Sequence, residues 1–244
     1  MSGLGTIING LCIVAGGVIG FYAGNLFKPE QHESINKACG ISVIFIAIAG
    51  AMQSMLIIDG GKLISGKSML VVLCLALGTV IGELIGIENL FERFGEWLKM
   101  KSGNSKEKEF VNAFVTASLV VCVGAMGVVG SIEDGLKGDY SLLALKAVLD
   151  FIIIVVMTSS MGKGCAFSAI PVVIYEGSMT LLARIISPIM TETAVEYLSL
   201  IGSVLIFCIG LNLVFDKKVK AGNMIPALLI AVIAAYLPWD FLIN

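Results

Sequence analysis

Charge is scarce in this chain. Only 14% of its 244 residues are Asp, Glu, Lys or Arg, where a soluble domain carries about 25%. Histidine is scarcer still, with His32 alone in a polar stretch. The six cysteines (Cys12, Cys39, Cys74, Cys122, Cys165, Cys208) are scattered through mostly apolar sequence without a CxxC pair. In such surroundings cysteine acts as a small hydrophobe, so neither a disulfide framework, a metal site nor a cofactor is expected. No HExxH and no nucleophile–histidine pairing is present, so no catalytic residue is assigned and enzymatic activity is not expected. The glycine- and serine-rich "TSSMGKGCAFS" (158–168) does not match GxxxxGK[ST] and follows no strand, which argues against nucleotide binding. It reads as a cytoplasmic turn or a re-entrant segment. A net charge of −2 offers nothing to nucleic acid.

What the chain has instead is apolar length. Hydrophobic residues make up 57%, with a mean hydropathy of +0.98. Apolar runs near the ~20 residues that span a bilayer recur along nearly the whole length. The expected object is an all-α integral membrane protein with one domain, 1–244, and eight transmembrane helices. These cover 4–27, 36–57, 68–87, 110–130, 141–161, 165–185, 196–214 and 224–241. The first, "MSGLGTIINGL", has no basic residue ahead of its apolar run and reads as a membrane helix, not a cleaved signal. Residues 88–109 form a charged connection in which Leu90, Phe91, Phe94, Trp97 and Leu98 recur at helical spacing. That pattern suits an amphipathic helix on the membrane surface, or a solvated helical loop.

Loop charge orients the spans. With eight crossings, one side holds eleven basic residues: Lys28, Lys37, Arg93, Lys99, Lys101, Lys106, Lys108, Lys163, Lys217, Lys218 and Lys220. The other side holds four, Lys62, Lys67, Lys137 and Arg184. Both termini are then outside and 88–109 is cytoplasmic. A shift of 161 residues aligns 16–50 with 177–211 without a gap, bringing Gly16 onto Gly177, Ser42-Val43 onto Ser203-Val204, and Ile48 onto Ile209. Under this topology the copies, helices 1–3 and 6–8, are inverted, a common plan of secondary transporters. Chance similarity between membrane helices is the competing explanation.

Glycine is abundant, as in "AGGVIGFYAG" and at Gly78, Gly82 and Gly86, and chiefly signals close helix packing. Ionisable residues in the spans carry more information, each costing about 2.5–3.5 kcal/mol at the bilayer centre on insertion scales. Lys146 and Asp150 share one face of helix five at i, i+4 spacing. They read as a transport path or as a structural ion pair. Glu176 lies mid-helix between Pro171 and Gly177-Ser178, residues that break or loosen a helix. It reads as a cation or proton site, or as a protonated interhelical bond. Glu83 lies near enough to a helix end to reach the interface. Asn9, Gln53, Thr116, Ser118, Thr158, Ser159, Ser160 and Asn212 read mostly as interhelical hydrogen-bonding groups. Glu133, Asp134 and Asp139 form an acidic outer run, either a solvated turn or a vestibule that concentrates cations.

The stretches "GTIING…AGGVIG", "FVTASLVVCVGAMGVVGSIEDGLKGDYSLLALKAVLD" and "FSAIPVVIYEGSMTLLA" resemble the YqgA-like family of bacterial cytoplasmic-membrane proteins, a domain of unknown function, over essentially the full chain. Where the family often has GPM this chain has Gly124-Ala125-Met126, and Glu176 stands where glutamine is common. The resemblance implies a bacterial inner-membrane location and favours Glu133, Asp134, Lys146 and Asp150 as the shared polar core. The family is described as candidate transporters, with no established substrate. The leading expectation is a secondary transporter or channel for a small solute or ion. A scaffold or signalling subunit docking through 88–109 is the alternative. Expected partners are membrane lipids, the solute or ion, and further copies of the chain in a homo-oligomer.

Overall fold

The computed structural model describes residues 2–24, 26–59, 61–215 and 219–237. Apart from one small hairpin among the described residues, the chain is an all-α multi-pass membrane protein. Its helices are α1 (Leu4–Gly24), α2 (Pro29–Met55), α3 (Ser68–Ile85), α4 (Ile87–Lys101), α5 (Phe110–Cys122) and α6 (Ala125–Lys137). Then follow α7 (Ser141–Met161), α8 (Ala169–Leu181), α9 (Ala183–Ile186), α10 (Glu192–Phe215) and α11 (Pro226–Ala234). The hairpin, β1 (Leu56–Asp59) with β2 (Lys62–Ser65), joins α2 to α3. In the ladder Asp59 stands opposite Lys62, and Gly61 takes a positive φ.

Among the described residues, six helical segments are long and apolar enough to cross a membrane: α1, α2, α3, α7, α8 with its leading 3-10 turn, and α10. The bent pair α5–α6 makes a seventh. Three differences from the sequence reading stand out. Helix four, expected to be continuous over 110–130, is two helices bent by 62° at Val123–Gly124. Gly124 holds φ +146°, a conformation open essentially to glycine alone. In α8 the expected break near Glu176 does not occur. Pro171 lies in the first turn of α8, where its missing N–H costs little, and the helix runs on through Gly177 and Ser178. Helix eight is a 3-10 turn (Ala221–Met224) followed by the short α11, and 238–241 fall outside the described residues.

The helices are built for lipid. On α1, Ile7, Leu11, Val14 and Val18 point outward at helical spacing, while Thr6, Asn9, Gly10, Ile13, Gly16 and Gly17 are buried. Small residues on the inner face let backbones meet. A Cβ on Gly82 would stand 1.8 Å from the Asn223 carbonyl oxygen, and one on Gly17 would stand 2.2 Å from Ala166 Cβ. The centre is α5, enclosed along most of its length, with Phe110, Phe114 and Val121 packed among Ile154, Met157 and Ile209.

Contact order gives the packing directions. Gly5, Gly16, Gly20 and Gly24 of α1 meet Leu143, Phe151, Val155 and Ser159 in ascending order, so α1 and α7 are parallel. Gly127 and Gly135 of α6 meet Tyr175 and Thr180, so α6 and α8 are parallel too. Gly40 meets Leu213 and Gly50 meets Ser203, which makes α2 and α10 antiparallel. Gly78 against Ala227 and Gly82 against Asn223 make α3 and α11 antiparallel as well.

The apolar stripe of α4 divides. Leu98 is buried, and Phe91 and Phe94 pack on the core, with Phe94 5.8 Å from the Phe114 ring. Leu90, Trp97 and Met100 face outward. Of the segment 158–168, Thr158–Met161 are the last turn of α7, and Gly162 (φ +95°) leads into a 3-10 turn, Lys163–Ser168, against α5.

Candidate functional site

The bend between α5 and α6 releases backbone acceptors that a continuous helix would satisfy. One of them, the Val121 carbonyl, accepts a hydrogen bond from Lys146 Nζ at 2.8 Å. That bond gives a lysine buried in mid-helix part of its reason. The ammonium also pairs with Asp150 Oδ2, one turn along α7, and lies 3.4 Å from Glu176 Oε1 on α8. Asn9 of α1 closes the group. Its Nδ2 donates to Asp150 Oδ2 at 3.1 Å and to Glu176 Oε1 at 2.8 Å. Gly127, at the start of α6, faces the group: a Cβ there would stand 3.2 Å from the Tyr175 ring and in ordinary contact, 3.6 Å, with Lys146 Cε.

All four side chains are buried, Asn9 and Glu176 completely. One ammonium faces two carboxyl groups, so the ionised cluster is one charge short of neutral in a setting where unbalanced charge is costly. Two acceptor atoms, Glu176 Oε2 and Asn9 Oδ1, receive no hydrogen bond from the described residues. A fully enclosed oxygen without a partner calls for an explanation.

The structure thus brings together Lys146, Asp150 and Glu176 and separates them from Glu133 and Asp134. Glu133 lies at the surface, 3.6 Å from Lys137. Asp134 is buried and accepts from the backbone N–H groups of Gly3 (3.1 Å) and Gly5 (2.9 Å), neutralising free donors at the start of α1. Asp139 bonds to Ser141, side chain and backbone, which holds its carboxyl below the usual carboxylate range. Glu83 reaches Lys220 at 3.3 Å at the surface. Asn9 is the site residue that sequence reasoning placed only among generic polar groups. Its signal is its position on the small-residue face of α1, with Thr6, Gly10 and Ile13.

A cavity of about 490 Å³ opens at the end of the bundle where the lysine-rich connections lie. Glu109, Asn112, Thr116 and Leu119 line it down one side of α5, across from Asn36, Glu88, Glu92 and Leu213. Ten residues of α-helix span about 15 Å. Leu119, the last α5 residue along this lining, stands two residues before the carbonyl that holds Lys146.

A family model described as "Protein of unknown function (DUF554)" matches residues 4–236. The "Uncharacterized membrane protein YdfK" of Bacillus subtilis is 29% identical over 226 residues, 93% of this chain and 93% of that protein. The "Uncharacterized protein YqgA" of Escherichia coli is 25% identical over 242 residues, 97% of this chain and 98% of that protein. No solved structure matches the chain.

Proposed function

The chain belongs to the DUF554 family, and we propose that it is a secondary transporter or channel for a small solute or ion in the bacterial cytoplasmic membrane, working by conduction and not by catalysis. The buried Lys146–Asp150–Glu176–Asn9 cluster carries this reading. Ionisable residues at membrane depth are expensive and tend to mark ion and substrate pathways. Structural bracing alone asks for one carboxylate per ammonium, and here there are two. We place the approach from the lysine-rich side in the cavity lined along α5 as far as Leu119.

We read the two halves as inverted repeats with α11 as an eighth crossing, an arrangement that suits the same reading. The shift of 161 carries α1 onto α8 and α2 onto α10, α3 and α11 follow as the third apolar segment of each half, and each of these three pairs packs antiparallel. Asn9 meets Glu176 and Gly10 meets Val173; the other two pairs are those described above. Copies of opposite orientation pack in this way around a midplane site. Helices α5, α6 and α7 stand outside the repeat and supply Lys146 and Asp150.

The test is a thermal-shift screen of purified protein against inorganic ions, organic acids and amino acids, since a ligand bound to the folded state raises the melting temperature by mass action. Uptake of each hit into proteoliposomes follows. Asp150→Asn is expected to abolish uptake while the protein still assembles and elutes like the native chain. Unchanged uptake in that variant would remove the cluster from the pathway.

A further inference from the structure

We propose, building on the transport reading above, that Glu176 carries one exchangeable proton, reached from the Asp134 end of the bundle through a strip of buried hydroxyl groups, and that this proton is the coupled ion. The first support is the pair of orphaned oxygens. Asn9 Nδ2 already donates to Glu176 Oε1 at 2.8 Å. The two atoms left without partners are Oε2 of the same carboxyl and Oδ1 of the same amide. A proton on Oε2 converts it into a donor, and Asn9 Oδ1 is an acceptor on the residue already bound. The acid–amide pair then satisfies both orphans with one proton.

Charge gives the same answer. Protonation forms one O–H bond on Glu176, leaves Lys146 as an ammonium and Asp150 as a carboxylate, and brings the cluster from −1 to neutral. Release returns the proton to water and leaves Glu176 as a second anion facing Lys146. A metal cation is a poorer occupant. It would sit beside an ammonium 3.4 Å from Glu176 Oε1, and the two orphaned oxygens fall short of a cation's oxygen shell. The charged and titratable groups around Glu176 are Lys146 and Asp150 from α7, Cys122 from α5 and Tyr175 on α8 itself; α1 contributes the neutral Asn9, and α6 contributes Asp134 farther along.

The route rests on a separate observation. Thr6, Thr180 and Ser131 are buried, and their hydroxyls have no hydrogen-bond partner among the described residues. Thr6 lies one turn from Asn9, and Thr180 one turn from Glu176, both toward the same end of the bundle. Gly177 brings α8 against Thr6, and Gly135 brings α6 against the Thr180 carbonyl. Ser131 leads on α6 to Asp134, which holds the start of α1. Buried hydroxyls are ordinarily satisfied by protein or by water. A line of them at one three-helix seam is a path water can complete. This strip and the cavity approach the cluster from opposite ends.

Infrared titration of the protein in lipid, across a pH series, tests the assignment. A carboxylic C=O stretch is expected to titrate, to vanish in Glu176→Gln and to persist, displaced, in Asp150→Asn. Glutamine can make the same two bonds to Asn9, so Glu176→Gln should keep its melting temperature while losing the band. The Ser131→Ala/Thr180→Val double variant should slow deuterium exchange of that band. A band lost in Asp150→Asn and kept in Glu176→Gln, or no titrating band at all, overturns the proposal. So does a rise in melting temperature with sodium chloride over potassium chloride that Glu176→Gln removes. Solute uptake driven by a pH gradient separates the two readings. Uptake without a Glu176 band leaves transport standing and the proton assignment refuted; a Glu176 band without uptake in the screen refutes transport.

Discussion

At Lys146 three acceptors share one ammonium: the Val121 carbonyl, Asp150 and Glu176. Lys146→Met keeps the apolar stem and removes the charge, leaving two facing carboxyl groups and an orphaned carbonyl at the helix bend. Breaking a buried pair by deleting one partner costs about 3–5 kcal/mol. The variant should therefore melt well below the native chain, and adding Asp150→Asn should recover part of the loss. A melting temperature equal to native would mean that the ammonium does not brace the bend. At this scale the sequence was half legible. Lys146 and Asp150 announce themselves by i, i+4 spacing on a single helix. Asn9 did not, because a lone amide in a membrane helix is usually interhelical glue, and its partners lie 141 and 167 positions away. Asp134, grouped by sequence with Glu133, faces inward onto the α1 backbone, a distinction that neighbouring residues on a helix hide.

Elements were legible wherever apolar length decides them, and less so where a single backbone angle does. The runs that became α1, α3, α7 and α10 needed only their composition. The bend in helix four has no proline to mark it, and one glycine among 28 is an inconspicuous signal. Pro171, by contrast, promised a break that does not occur, because helix N-termini tolerate proline. Gly124 separates angle from space. A Cβ there would touch nothing within 4 Å, yet φ is +146°. Gly124→Ala should thus destabilise by backbone strain alone, about 1–3 kcal/mol, read as a lowered unfolding midpoint. Since the bend frees the Val121 carbonyl for Lys146, the same variant should weaken the cluster. A variant as stable as native would mean that the bend is held by packing on either side and not by the glycine.

For the whole molecule, packing direction constrains what hydropathy leaves open. Between α1 and α7 the chain runs through α2, α3 and the bent pair α5–α6. If α2 and α3 each cross, α1 and α7 can be parallel only if the bent pair crosses as well, despite its 62° bend. The parallel α6 and α8, and the antiparallel α3 and α11, fit the same alternation. The lysine-rich connections then fall on one side, and the hairpin with Lys62 on the other. Basic loops mark the cytoplasmic face, so position 101 should be inside and position 62 outside. Lys62→Cys and Lys101→Cys, each introduced alone, test this with a membrane-impermeant maleimide on intact cells. The six native cysteines are buried or only partly exposed, which leaves the introduced thiol as the preferred target. Lys62→Cys should label at once, and Lys101→Cys only after the membrane is opened. The reverse pattern would invert the orientation and put the cavity along α5 on the outer face. Labelling of both in intact cells would break the alternation between α2 and α5 and, with it, the inverted pairing of α2 with α10.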